Sequence, residues 1–496
     1  MVALGSQPGG DDRGDRPGKI GGNLLHKPRK NRTWLAEDGA GVGLHFARDD
    51  LHESGLSGTV AADQAEPLAG IDLEIHVFQN RRTTKAEINI KETEQSHKRP
   101  NVGGGQLACN SRVIQVFASF AAMRLPIILS FFLMTTAISC ARELLVYIGT
   151  YTKTTRKGIY VGRLDLKTGR LGELTLAGEA VNPSFLALSP DHSHLYAGSE
   201  SAGFLYAGKP SGTVKAFAID PKTGLLSPVN EATSGGRGPC HLTVAPDGKA
   251  VFVANYGSGT VALLPVLPDG GVGEPTGVIQ HEGHSVHPTR QKQPYAHSIN
   301  LSPDGRFAYA ADLGTDKLYT CRVNSAAGTL TPAGETILPP GSGPRHLALH
   351  PDDRHAYLIN ELANTITVLA RDPSTGAMVT LQTAPTLPAG FTGKNTTAEV
   401  AVHPSGRFVY GSNRGHDSIV VFAVDPATGK LTPAEDVSTR GKTPRSFAVD
   451  PTGHWLIAAN QDSDNLTIFS IDQNTGRLTP TGQSVTIGTP VCVCFQ

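Results

Sequence analysis

The chain has 496 residues and balances 44 basic against 44 acidic side chains, so it carries no basic field that would attract nucleic acid. Gly (56) and Pro (34) are abundant, and no long window places apolar residues at i, i+3, i+4 and i+7; a helical protein is excluded and an all-β one expected. The length allows two or three ordinary domains, or one large repeat domain with extra segments.

In chain order, residues 1–122 are rich in Gly, Arg, Asp and Lys, with one strand-like run at 71–78 and none of the repeat found later. They read as a disordered or spurious N-terminal extension. Met123 and Arg124 then open a signal-peptide pattern, with an apolar stretch over 125–138 and small residues Ala137, Ser139 and Ala141 at candidate cleavage positions. A signal peptide over 123–141 and a periplasmic or secreted product are therefore expected. A cytoplasmic protein is the alternative, and Cys140 leaves a lipoprotein open. An apolar run of about 14 residues is short for a bilayer span, so no stable membrane span is expected in the mature protein.

From Leu144 onward a unit of about 50 residues repeats. Short apolar runs ending at a proline turn recur at 185–190, 242–248, 299–305, 347–351, 400–406 and 447–453. Later in most units an aspartate precedes Thr-Gly, as in Asp220 before Thr223 and Gly224, or Asp425 before Thr428 and Gly429. Asp opens such a turn and Gly supplies the positive φ that closes it, which marks an outer hairpin. Four strands per unit, without intervening helices, predict an all-β, seven-bladed β-propeller over 142–496. The run at 144–149 lacks an inner strand before it, and 491–495 is an inner strand with no successor. Pairing them closes the seventh blade and removes two open edges.

The hairpin at 343–362 brings the residues before its first strand, Arg345 and His346, beside those after its second, Asn360 and Glu361. The same spacing pairs His297 with Asp312, Glu399 with Arg414, and Arg445 with Asn460. His350 and His403 fall at the opposite end and read as structural. His281, His284 and His287 share a loop, but their spacing fits no standard zinc pattern, so no metal is expected. Cys492 and Cys494 lie two apart on one strand, which does not suit a bridge. There is no Gly-x-Ser-x-Gly elbow, Walker loop or Rossmann fingerprint, and no cofactor is expected.

The segments around His297, Arg345, Asn360 with Glu361, Glu399 and Arg414 together resemble the seven-bladed propeller lactonases, a family that includes the propeller type of 6-phosphogluconolactonase and, more distantly, carboxymuconate cyclases. The resemblance implies a catalytic set of His297, Arg345, Glu361 and Arg414; His346, Asn360, Glu399 and His241 are the candidate substrate ligands beside them. Tyr295 stands where many members have a second histidine. The implied reaction is hydrolysis of a sugar lactone, with the arginines meeting developing negative charge and Glu361 or His297 as base. Cyclisation of a muconate and non-catalytic ligand binding are the open alternatives. The expected partner is a small lactone or sugar acid, and the expected state a monomer.

Overall fold

The computed structural model describes residues 71–80, 83–92, 143–152 and 157–496. The expected signal peptide over 123–141 lies outside the described residues, as does most of the segment before it. Within that extension Ile71–Asn80 and Thr83–Glu92 form an antiparallel hairpin, so the run at 71–78 is indeed a strand.

Over 143–496 seven four-stranded antiparallel sheets follow one another as the blades of a β-propeller, each meandering from inner to outer strand. Blade 1 pairs Pro490–Phe495 with Glu143–Thr150, Gly158–Asp165 and Thr175–Glu179, so the ring closes as expected. Blades 2 to 7 follow with inner strands Pro183–Leu188, Pro239–Val244, Ala296–Leu301, Pro344–Leu349, Thr396–Val402 and Pro444–Val449. Among the described residues no helix is long and apolar enough to cross a membrane.

The core is not central but lies in seven layers between neighbouring blades. One layer, between blades 5 and 6, packs Tyr357, Ile359, Ile366 and Val368 against Val400, Val409, Val420 and Phe422. Alternation along each strand sends one face to each neighbour, so middle strands are buried on both sides and read as continuous apolar runs. The Asp to Thr-Gly turns latch these layers. Gly224, Gly429 and Gly476 hold φ near 70°, and their carbonyls accept the hydroxyls of Tyr147, Tyr357 and Tyr410 from the preceding blade at 3.0 Å.

Closure has a measurable cost. Val491, Cys492 and Val493 are all buried, and burial of such side chains contributes ~1.5–3 kcal/mol each. Deleting residues 491–496 is expected to lower the melting temperature by about 10 °C or more. A deletion variant that melts with the parent would contradict closure by these strands. The four described cysteines, Cys240, Cys321, Cys492 and Cys494, are free thiols.

Candidate active site

Each inner strand begins with a β-bulge, and the bulges build the site. In blade 5 Pro344 faces Asn360 and His346 faces Ile359, which leaves Arg345 as the extra residue. The same irregularity leaves Cys240 over in blade 3, His297 in blade 4 and Arg445 in blade 7. An extra residue breaks alternation, so two successive side chains can turn towards the ring axis. Gly343 enables this in blade 5. Its φ is 62°, and a Cβ there would lie 2.5 Å from the Leu362 side chain. Its carbonyl accepts the Glu361 amide at 2.7 Å, which fixes Glu361 at the mouth of the ring.

Glu361 is buried, and three guanidiniums surround its carboxylate. Arg290 Nη2 lies 2.5 Å from Oε1; Arg414 Nη2 and Arg345 Nε lie 3.0 and 3.2 Å from Oε2. Burial alone would raise this carboxyl, but Arg414, Arg345 and Arg290 outweigh it and hold it at about 2. Glu361 is thus a fixed anion. His297 Nε2 stands 3.8 Å from Oε2, beyond hydrogen-bond reach. Burial first, then Arg345, His346 and Arg445, push this imidazole well below its ordinary value, so it is neutral at physiological pH.

A cavity of about 400 Å³ opens over these groups, lined among others by His297, Glu361, Arg414, Arg290, Arg445 and Glu200. Arg445 comes from the far side of the ring. Its guanidinium sits 5.6 Å from the Tyr151 ring centroid, and the nearby charges of Glu200 and Glu361 favour its charged form. Tyr151 donates to Glu200 at 3.2 Å, and Tyr256 stacks on Tyr295 at 4.8 Å, so Tyr295 serves as packing on the rim.

A family model described as "Lactonase, 7-bladed beta-propeller" matches residues 145–495. The chain belongs to the seven-bladed β-propeller lactonases. The 6-phosphogluconolactonase of Bacillus subtilis (strain 168) is 39% identical over 301 residues, 61% of this chain and 83% of the relative. That of Formosa agariphila is 31% identical over 311 residues, 61% and 85% of the two chains. Among solved structures, the periplasmic gluconolactonase of Pseudomonas aeruginosa superposes with a TM-score of 0.67 at 36% identity, covering 71% of this chain and 99% of that one.

In this lactonase His297, Glu361 and Arg414 line the cavity. Arg345 does not. It is 2% exposed and lies behind Glu361, donating to the Ala398 carbonyl at 2.7 Å and to His346 at 3.2 Å. His346, Glu399 and His241 are also behind the cavity wall: His346 bonds Glu399 at 2.8 Å, and the His241 ring packs 4.1 Å from Phe185 and 5.1 Å from His346. Asn360 spends its amide on Thr365 and Thr367 of the neighbouring strand in its own blade.

Hairpin spacing does bring Arg345 to Glu361 and sets the other polar residues at matching ends of their hairpins, but two of those other pairs take different side-chain partners. Asp312 takes His281 Nδ1 at 2.8 Å and the amides of Tyr295, Gly314 and Thr315, not His297. Asn460 bonds the Thr439 carbonyl, not Arg445. Simple pairing across a hairpin ignores the bulge, which swings the first partner to the axis while the second stays between blades. Arg290 was not among the candidates, and Arg445 figured only through its hairpin pairing with Asn460. Arg445 had a signal, since Pro444-Arg445 repeats the Pro344-Arg345 pattern. Arg290 had none, because an irregular loop delivers it. There His287 Nδ1 accepts the Arg290 amide at 3.2 Å, and Gln291 ties the loop to Asp316 at 2.7 Å.

Proposed function

We propose that the chain hydrolyses an aldonolactone in this cavity, with His297 as general base, Glu361 as its charge partner and Arg414 with Arg445 meeting the oxyanion. The observation that carries the assignment is the contrast between an uncommitted neutral imidazole and a carboxylate with both oxygens taken up by guanidiniums. A base must hold a free lone pair near its substrate. His297 can; Glu361, held at about 2, is a poor acceptor.

In the reaction, water attacks the lactone carbonyl carbon while His297 takes the water proton. The carbonyl oxygen becomes an oxyanion, a charge that suits the Arg445 and Arg414 guanidiniums lining the cavity. The imidazolium is stabilised by the Glu361 charge close by. It returns its proton to the ring oxygen as the acyl bond breaks, giving a hydroxy acid. No covalent intermediate is needed, and Cys240 is unsuited to form one, since burial pushes its thiol up to about 12.

Export completes the reading: translation from Met123, removal of 123–141 and a mature lactonase over 142–496, in a compartment where unphosphorylated sugar lactones occur. The apolar stretch after Met123 supports it, and so does the likeness to a lactonase described as periplasmic. The test compares D-glucono-1,5-lactone with its 6-phosphate as substrates, alongside fractionation of cells expressing the chain. A higher kcat/KM for the unphosphorylated lactone and periplasmic protein are expected. Cytoplasmic protein that prefers the phosphate ester would overturn the export reading and leave the chemistry standing.

A further inference from the structure

Glu399 entered as a candidate substrate ligand, yet it faces away from the cavity that holds His297 and Glu361. It lines a separate recess of about 270 Å³ with Phe185, Cys492 and Ser446, towards the opposite end of the inner strands. Between that recess and the cavity stands one continuous set of contacts. Arg345 Nη1 lies 3.2 Å from His346 Nε2, His346 Nδ1 lies 2.8 Å from Glu399 Oε1, and Arg345 Nε lies 3.2 Å from Glu361 Oε2.

The donor rules fix how this chain is wired. A guanidinium can only donate, so His346 Nε2 must accept and carry no proton. The single proton of the neutral imidazole is then on Nδ1 and points at Glu399. Arg345 is held at both ends, by Glu361 on the cavity side and by His346 and the Ala398 carbonyl on the other. The blade 6 bulge sets the far end, since the Glu399 amide donates to Ser412 Oγ at 2.9 Å and its carboxylate accepts the Val400 amide at 3.2 Å.

Charge gives the wiring a purpose. Glu361 is one anion shared by Arg290, Arg345 and Arg414, and Arg345 is the most buried of the three. A buried guanidinium with a third of a counter-ion is costly unless further acceptors or charge reach it. Glu399 is the only other carboxylate in this chain of contacts among the described residues, and His346 is the single side chain between it and Arg345.

We infer that Glu399 is a positioning residue for the lactonase site, acting through His346 and Arg345 to fix the Glu361 carboxylate beside His297. It does not touch substrate. The inference rests on the lactonase reading above, and the experiment keeps the two apart. Wild-type hydrolysis of D-glucono-1,5-lactone is measured first; a wild type without activity sinks the functional reading, whereas an active wild type tests Glu399 alone.

Glu399→Ala is expected to lower kcat by about 10- to 100-fold with KM changed less than about twofold, because only the transition state senses a misaligned Glu361. Glu399→Gln keeps an acceptor for His346 Nδ1 and is expected to recover part of the loss. The double variant Glu399→Ala with His346→Ala should be no worse than His346→Ala alone, since groups acting in series are not additive. Three results would overturn the inference: a rise in KM at constant kcat, which means direct substrate contact; losses that multiply in the double variant; or a loss that equals the fraction of unfolded protein. If the alanine variants do not fold, Glu399→Met, of similar length but without an acceptor, decides: full wild-type kcat in that variant overturns the inference.

Discussion

His297→Gln is expected to lower kcat for lactone hydrolysis by about 10²- to 10⁴-fold while leaving the melting temperature nearly unchanged. The side chain makes no short hydrogen bond to another side chain: Nδ1 is 3.7 Å from Cys240 Sγ, Nε2 is 3.8 Å from Glu361 Oε2, and the ring packs edge-on to Tyr256 and His346, packing that a glutamine largely keeps. Its lone pair is free because burial and the surrounding cations keep the ring unprotonated. That depression also sets the pH profile of the wild type. The base stays competent as pH falls past the ordinary imidazole value of 6.5, so the acid limb of kcat/KM should lie well below it. Unchanged turnover in His297→Gln would return the role of base to Glu361.

Glu361→Gln is expected to do the opposite of a clean active-site variant and to damage stability and turnover together. Three guanidiniums lose their shared counter-charge, and removing one partner of a buried ion cluster costs about 3–5 kcal/mol. Turnover should fall about 100-fold or more even in the folded fraction, since the imidazolium at His297 loses its stabilising anion. The sign of the pH effect follows from the depressed pKa. The folded carboxyl titrates at about 2 and the unfolded one near its ordinary 4.5. Its contribution to stability is therefore complete above 4.5 and is lost as pH falls through about 2. Acid melting curves of wild type and Glu361→Gln should accordingly converge over that window. A variant as stable as the parent at pH 7 would show that the arginine clamp contributes nothing.

The ring, its blade count and its closure were legible in the sequence because each rests on local chemistry. Proline turns end the inner strands, Asp to Thr-Gly turns end the outer hairpins, and the stretches at 144–149 and 491–495 are neighbouring strands of one four-stranded sheet. The site was legible mainly as a list of residues; of its arrangement, the meeting of Arg345 with Glu361 could be read. Arg345 looked like a group facing substrate, and Glu399 and His346 looked like ligands, because the repeat places all three at the same end of a hairpin. One extra residue per inner strand changes what each side chain faces, and a bulge leaves no mark in composition or spacing. Arg290 was hidden for a different reason, since a loop without a period has no register from which a contact can be read.

The most direct measurement is acid release from D-glucono-1,5-lactone followed by pH-stat with the wild-type protein, corrected for the spontaneous reaction. Saturable acid production proportional to enzyme, and abolished in His297→Gln, is the expected result. A rate equal to the uncatalysed one, for this lactone and for its 6-phosphate alike, would contradict a lactonase site in this cavity.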